Sequence, residues 1–196
     1  MRVPSARLLR RVRGRSPLAA ERAAVTWFRC DDIRADILAR NCALPVSAAR
    51  HGAALRAGTV AVVPPGKHAL VTTGSRLALI STDHTPPYRP SADLLLTSLA
   101  LVAARRTIAV ILSGAGNDGA TGTVHDFGGT VIAADEASSA YFAMPEAAIS
   151  RDDAVDYVLP ADDIPALLVS LTGGAAGQVL LSGDTGHGLP GGDVAG

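Results

Sequence analysis

Short apolar runs of strand length alternate along this chain with amphipathic stretches of helical period. That alternation is typical of an α/β fold in which crossover helices connect the strands of a parallel sheet. The predicted strands are Ala24 to Phe28, Leu44 to Ala49, Thr59 to Val63, Ala69 to Thr72, Arg76 to Ile80, Ile108 to Leu112, Thr130 to Ala134 and Val155 to Leu159. We therefore expect a mostly parallel sheet covered by helices.

Two helices and one hairpin have local signals of their own. Asp32 to Arg40 places apolar residues on one face, and Ser91 is a suitable N-cap for a helix that runs to Ala104. The segment Thr72-Thr-Gly-Ser75 lies between two apolar runs and predicts an antiparallel hairpin. The sequence therefore predicts a mixed sheet.

The size and charge of the chain exclude several classes of protein. It has 196 residues, 48% of them hydrophobic, which is enough for one buried core and predicts a single domain. The formal net charge is zero, so the basic field typical of nucleic-acid-binding proteins is missing. No apolar run is long enough for a membrane helix or a secretory signal, and we expect a cytoplasmic protein. Cys30 and Cys42 are interpreted as small, at least half-buried apolar residues.

Composition divides the chain into three segments. Residues 1–30 carry eight arginines and one acid, which fits a solvated helix from Ser5 to about Arg15, a basic arm or a transit peptide. Residues 31–172 hold most of the predicted strands and helices. Residues 173–196 include nine glycines in 24 positions, and we expect a mobile tail there.

The segment from Ile108 to Gly119 is an apolar strand that enters a glycine-rich turn before a helix. Gly114, Gly116 and Gly119 fit the dinucleotide-binding pattern, and Asp135 follows at the distance of a ribose-binding acid. The carboxylate of Asp118 argues against this interpretation, because it would lie next to the pyrophosphate and repel it.

The same turn could instead belong to a hydrolase site. A carboxylate at the carboxyl edge of a parallel sheet can orient the histidine of a catalytic triad, and Asp118 occupies such a position. The backbone N–H groups of Ala115 and Gly116 could then bind the oxyanion. The simplest alternative is that Asp118 only caps the helix that follows.

A series of short stretches follows one another from about Asp36 to Leu171: Leu44-Pro-Val46, Gly58-Thr-Val60, Pro64-Pro-Gly-Lys-His68, Arg89-Pro-Ser-Ala-Asp93, Leu112-Ser-Gly-Ala-Gly-Asn-Asp-Gly-Ala120, Gly128-Gly129, Ala134-Asp-Glu-Ala-Ser-Ser139, Ala143-Met-Pro-Glu-Ala-Ala-Ile149, Ala154-Val-Asp156 and Val158-Leu-Pro160. In these stretches and in their order the chain resembles the catalytic domain of the chemotaxis protein-glutamate methylesterases, the CheB-type family. The resemblance implies a doubly wound α/β domain and a serine hydrolase, without cofactor or metal, that removes methyl groups from glutamyl methyl esters on chemoreceptors. It also implies that Asp118 is the triad acid and that the turn at Ala115 supplies an oxyanion N–H.

The start of the chain departs from the family pattern. The family's nucleophile lies in a Gly-x-Ser-x-Gly-Gly turn after its first strand, and Leu8-Leu-Arg-Arg11 resembles the helix after that turn, which would put the serine at or before Met1. The next strand should end in the catalytic histidine, but the sequence there is Phe28-Arg-Cys-Asp-Asp32. None of the five histidines, His51, His68, His84, His125 and His187, is an obvious substitute.

These departures leave three hypotheses. In the first, the chain is a family member whose true start lies upstream or whose first residues come from a shifted reading frame. In the second, it is a receptor-binding or regulatory paralogue without hydrolytic activity. In the third, it is a dinucleotide-binding domain. No receiver domain is expected within these residues, which leaves a separate response regulator as a partner. We also expect the loss of a central strand to expose sheet edge and apolar surface.

Overall fold

The computed structural model describes residues 24–27, 35–40, 42–81, 91–114, 121–151, 154–172 and 178–182. The strands are β1 (Ala24–Trp27), β2 (Val46–Ala48), β3 (Val60–Val62), β4 (His68–Val71), β5 (Leu77–Ile80), β6 (Thr107–Ile111), β7 (Thr130–Ala134), β8 (Tyr157–Leu159) and β9 (Gln178–Ser182). The helices are α1 (Ala35–Ala39), α2 (Ala92–Ala103), α3 (Thr121–Asp126), α4 (Ala143–Ile149) and α5 (Ile164–Thr172), with a 3₁₀ turn at Ala104–Arg106.

Seven of the described strands form one parallel sheet, in the order β2-β3-β1-β9-β6-β7-β8. The predicted α/β architecture is confirmed, and each predicted strand is present with ends that differ by at most two residues. Most ends differ because the outer residues of an apolar run lie beyond the hydrogen-bonded ladder, whereas β4 and β6 begin one residue earlier than predicted, at His68 and Thr107.

The centre of the sheet differs from the sequence expectation. Residues 178–182 lie in the segment expected to be a mobile tail, yet they form β9, which pairs with β1 on one side and with β6 on the other. The expected gap at the centre of the sheet is therefore filled by a strand from the C-terminal part of the chain. Parallel pairing with a strand on each side satisfies the backbone N–H and C=O groups of this segment.

The predicted hairpin is confirmed, but it is separate from the parallel sheet. β4 and β5 pair antiparallel from His68↔Ile80 to Val71↔Leu77, as a two-stranded sheet of their own. At the turn the Thr72 N–H donates to the Arg76 carbonyl and the Ser75 N–H donates to the Thr72 carbonyl. The two kinds of pairing thus belong to two sheets, which corrects the expectation of one mixed sheet.

Helices cover both faces of the parallel sheet, as a doubly wound fold requires. Along β6, Ile108 and Val110 pack on the face covered by α1 and α5, whereas Ala109 and Ile111 pack on the face covered by α2, α3 and α4. This alternation follows from the two-residue period of a strand, and it buries all five β6 residues. Within the described ranges, no helix is long and apolar enough to cross a membrane.

The hairpin is tied to α2 by buried polar contacts. The Ser91 side chain accepts from the Leu94 N–H, which confirms the predicted N-cap, and the Ser91 N–H donates to Nδ1 of the fully buried His68. Further along, the Val71 N–H donates to the Ser98 hydroxyl at 2.9 Å. His68 and Ser98 therefore satisfy backbone groups between hairpin and helix.

The turn between α3 and β7 requires a glycine at position 129. A Cβ atom built there would lie 2.7 Å from Val124 Cγ1, 2.9 Å from the Val124 carbonyl oxygen and 3.0 Å from the Thr107 carbonyl oxygen. Two of these neighbours are backbone atoms of packed elements, so they cannot move away without disturbing α3 or β6.

We expect Gly129→Ala to lower the free energy of unfolding by roughly 1–3 kcal/mol, because the added methyl group overpacks the turn. Gly122→Ala is the matched control: position 122 is in α3, where an added Cβ meets nothing within 4 Å, so the change should be neutral or stabilising by up to about 1 kcal/mol. Urea unfolding of both variants measures the difference. Equal stability of the two variants would contradict the packing argument.

Candidate functional site

The order of the strands locates a crevice at the carboxyl edge of the sheet. β2 and β3 follow β1 in the chain and lie on one side of it, whereas β7 and β8 follow β6 and lie on the opposite side. In open parallel sheets, ligands bind at the carboxyl ends of the strands where the winding direction changes. Here β9 occupies that point, with Ser182 in register with Trp27 and Ile111. We call the carboxyl ends of β1, β9 and β6 the switch-point edge.

The glycine-rich segment begins at this edge. β6 ends at Ile111, Leu112 and Ser113 are buried directly after it, and α3 begins at the buried Thr121. The predicted sequence of strand, turn and helix is thus confirmed at both of its ends. The candidate residues Ala115, Gly116 and Asp118 fall in 115–120, outside the described residues, and their roles remain predictions.

The start of the turn is fixed to the segment that precedes α4. The Tyr141 N–H donates to the Ser113 hydroxyl at 2.8 Å, and the Gly114 N–H donates to the Tyr141 carbonyl at 2.9 Å. The Met144 N–H then donates to the Gly114 carbonyl at 3.0 Å. These three hydrogen bonds attach the end of β6 to the carboxyl side of β7, which gives the turn a fixed starting direction.

Sequence reasoning did not single out Ser113, Tyr141 or Met144 as structural partners. Ser113 and Met144 both lie in stretches that match the family, but 31 positions separate them. The one indication in the sequence was that both stretches are present together. A buried hydroxyl directly after a strand needs a hydrogen-bond partner from elsewhere in the fold, and the second stretch could supply it.

Asp135 has a local role in the structure. Its carboxylate accepts from the Ser138 N–H at 2.9 Å and from the Ser138 hydroxyl, while its carbonyl accepts from the Ser139 hydroxyl. An aspartate that accepts from the backbone two or three residues later stabilises a turn. The contacts of Asp135 therefore give no support to a ribose-binding role.

The three histidines within the described residues lie in different parts of the fold. His68 is buried and accepts from the Ser91 N–H, and the exposed His51 contacts the Leu79 backbone of the hairpin through Nδ1. His125 is exposed in the last turn of α3, which precedes β7 and therefore points towards the amino edge of the sheet. His84 and His187 are outside the described residues.

Cys42 behaves as the apolar residue predicted. It is half-buried and packs against the core beneath α1 and α5. Burial raises the pKa of the Cys42 thiol, and the Leu44 N–H, which donates to Sγ at 3.4 Å, partly offsets that rise. A thiol with a raised pKa is a poor nucleophile at neutral pH. Among the residues that the structure describes, no group of three or more His, Cys, Asp or Glu side chains could hold a metal ion.

We expect Ser113→Ala to lower the free energy of unfolding by about 1–3 kcal/mol, because the Tyr141 N–H loses its acceptor. Ser113 is 2% exposed, so water cannot replace the hydroxyl without rearrangement. Ser47→Ala on the exposed side of edge strand β2 is the control and should change stability by less than about 0.5 kcal/mol. Urea unfolding tests both, and a Ser113→Ala variant as stable as the Ser47→Ala variant would contradict the anchoring role.

Comparison with known proteins agrees with this geometry. The CheB methylesterase family model matches residues 29–168. Protein-glutamate methylesterase/protein-glutamine glutaminase 2 of Anaeromyxobacter dehalogenans is 45% identical over 140 residues, which are 69% of this chain and 40% of that relative. Protein-glutamate methylesterase FrzG of Myxococcus xanthus is 41% identical over 134 residues, 67% of this chain and 40% of the relative. This chain thus spans about two fifths of the length of these curated relatives.

A solved structure extends the comparison to the fold. The catalytic domain of Thermotoga maritima CheB methylesterase superposes with a TM-score of 0.76 at 30% sequence identity, covering 85% of this chain and 92% of that domain. The family model covers more than half of the chain, and the α/β fold and the strand, turn and helix around the glycine-rich segment lead to the same conclusion. The chain therefore belongs to the CheB methylesterase family.

Proposed function

We propose that this chain hydrolyses glutamyl methyl esters on chemoreceptors in the cytoplasm, releasing methanol and a free glutamate carboxylate. Membership of the CheB methylesterase family supports the reaction class. The relatives named above are protein-glutamate methylesterases, which supports a protein-bound glutamyl ester as the substrate.

The observation that carries the proposal is the anchoring of Ser113 and Gly114, where the glycine-rich segment begins at the switch-point edge. The Ser113 hydroxyl and the Gly114 backbone are bonded to Tyr141 and Met144, so the segment that leads to Asp118 starts from a fixed point beside β9. A fixed start to the segment that follows suits a site that must hold hydrogen-bond donors against a developing charge.

The chemistry assigns a role to each predicted residue. Attack on the ester carbonyl places negative charge on its oxygen, and the Ala115 and Gly116 N–H groups are the proposed donors to that oxyanion. The serine and histidine of the family pattern are missing from their expected places in this sequence, so the nucleophile and the base are assigned to no residue here. Asp118 is the proposed triad acid, whose part is to hold an imidazole in the tautomer that accepts the proton of the nucleophile. That proton then leaves with the methoxy group as methanol, and water releases the carboxylate from the acyl intermediate.

A second candidate function is receptor binding without hydrolysis. The observation that favours it is the sequence after β1, Phe28-Arg-Cys-Asp-Asp32, which contains no histidine where the family resemblance requires one. Without its general base a triad loses nearly all of its rate advantage. Binding of a methylated receptor peptide without methanol release would support this alternative.

We expect methanol release from a methylated receptor peptide to fall roughly 10⁴-fold in Asp118→Asn, because an amide holds the imidazole in the wrong tautomer. Asp126→Asn is the matched control. Asp126 is an exposed carboxylate at the end of α3, and its replacement should leave turnover unchanged. Initial rates of methanol release by the purified wild-type chain and both variants measure the difference.

Two other outcomes have definite meanings. Turnover that survives Asp118→Asn would reject Asp118 as the triad acid. Peptide binding without release of methanol by the wild-type chain would reject the hydrolase proposal and favour the receptor-binding function.

A further inference from the structure

A second feature of the carboxyl edge lies two strands away from β9. It is a cleft of about 360 Å³ between α1 and the ends of β2 and β3. The lining residues are Ala35, Asp36, Ala48, Val62, Val63, Pro64 and Pro65. None of these positions was predicted from the sequence to be part of a binding site.

The described walls of the cleft are mostly apolar. Val62 and Val63 form a buried floor, while Ala48 and Pro65 are exposed at the rim. Asp36, on the exposed side of α1, is the one charged residue among the described lining residues. The volume is at the lower end of the range of about 300–1,000 Å³ that is typical of ligand pockets. An apolar side chain of a protein segment fits this chemistry better than a charged or sugar-like ligand.

The spacing of the strands fixes the distance between the cleft and the switch-point edge. β3 pairs with β1, and β1 pairs with β9. Neighbouring strands are about 4.8 Å apart, so the end of β3 lies about 10 Å from the end of β9 and about 14 Å from the end of β6. An extended peptide advances about 3.3 Å per residue, so three or four residues cover this distance.

We propose that this cleft is a specificity pocket for an apolar side chain of the receptor segment, three or four residues from the methylated glutamate. The proposal rests on the proposed function, because it places the glutamyl ester at the switch-point edge. It is supported by position, since Val63 directly follows β3 and the cleft lies at the same edge of the sheet as the carboxyl ends of β9 and β6.

Filling the cleft tests the proposal. Ala48→Phe introduces an aromatic ring at the rim of the cleft. The matched control is Val158→Phe, on the edge strand β8 at the opposite end of the sheet, where Val158 is 46% exposed. The probe is a fluorescein-labelled peptide with one glutamyl γ-methyl ester and a leucine four residues away on each side. A second peptide carries serine in place of both leucines. Fluorescence anisotropy gives the Kd, and methanol release gives kcat and KM.

We expect Ala48→Phe to weaken binding of the leucine peptide about 10- to 100-fold, as the loss of one buried Leu side chain predicts. The wild-type chain should bind the serine peptide more weakly than the leucine peptide by the same factor. Ala48→Phe should not weaken binding of the serine peptide any further. The kcat value and the hydrolysis of a small ester should not change, because neither involves the cleft. Val158→Phe should behave as wild type throughout.

A second variant covers the case in which Ala48→Phe does not fold. Pro65→Asp puts a carboxylate on the exposed rim of the cleft, and it should weaken binding of the leucine peptide but not of the serine peptide. Equal affinity of the wild-type chain for the two peptides would overturn the pocket while leaving the proposed function intact. Failure of the wild-type chain to bind or hydrolyse either ester peptide would overturn both.

Discussion

Two parallel ladders hold strand β9 at the centre of the sheet, and the rest of the fold depends on them. On one side β9 pairs with β1 from Ala24↔Val179 to Trp27↔Ser182, and on the other side with β6 from Thr107↔Gln178 to Ile111↔Ser182. Among the described strands, it is β9 that joins the group β2-β3-β1 to the group β6-β7-β8. Each group would otherwise end in an open edge with unpaired N–H and C=O groups. The last described strand in the chain therefore holds the two groups in one sheet and sets the distance between β1 and β6.

The sequence predicts those parts of the fold that have local causes. Apolar runs gave eight strands close to their observed bounds, Thr72-Thr-Gly-Ser75 gave the hairpin turn, and Ser91 gave a helix start. β9 was not predicted because Gln178–Ser182 is a short run within a glycine-rich region, where local composition favours disorder. Its strand structure comes from pairing with β1 and β6, which lie far away in the sequence. No local sequence pattern indicates that two distant strands leave room for a further parallel strand between them.

The candidate site shows the same division. The order of strand, turn and helix from Ile108 to Thr121 could be read from apolar residues followed by glycines. The hydrogen bond between Ser113 and Tyr141 could not, because nothing near Ser113 indicates which backbone N–H will reach its hydroxyl. Asp135 shows the opposite error: its spacing from the glycines suggested a ribose ligand, but Ser138 is close enough to use the carboxylate in a turn. The spacing of two residues along the chain therefore predicts that they are close in space only where the secondary structure between them is already known.

The carboxyl edge thus combines two surfaces with different physical character. Beside β9 and β6, hydrogen bonds with Tyr141 and Met144 hold Ser113 and Gly114 in place at the start of the glycine-rich segment. Beside β3, the cleft over Val62 and Val63 is mostly apolar, and among its described lining residues only Asp36 carries a group suited to chemistry. Contacts remote from the reacting atoms can supply binding energy and so hold a flexible ester at the turn. Because β1 and β9 separate the two surfaces, the position of β9 sets the distance that a bound segment must span.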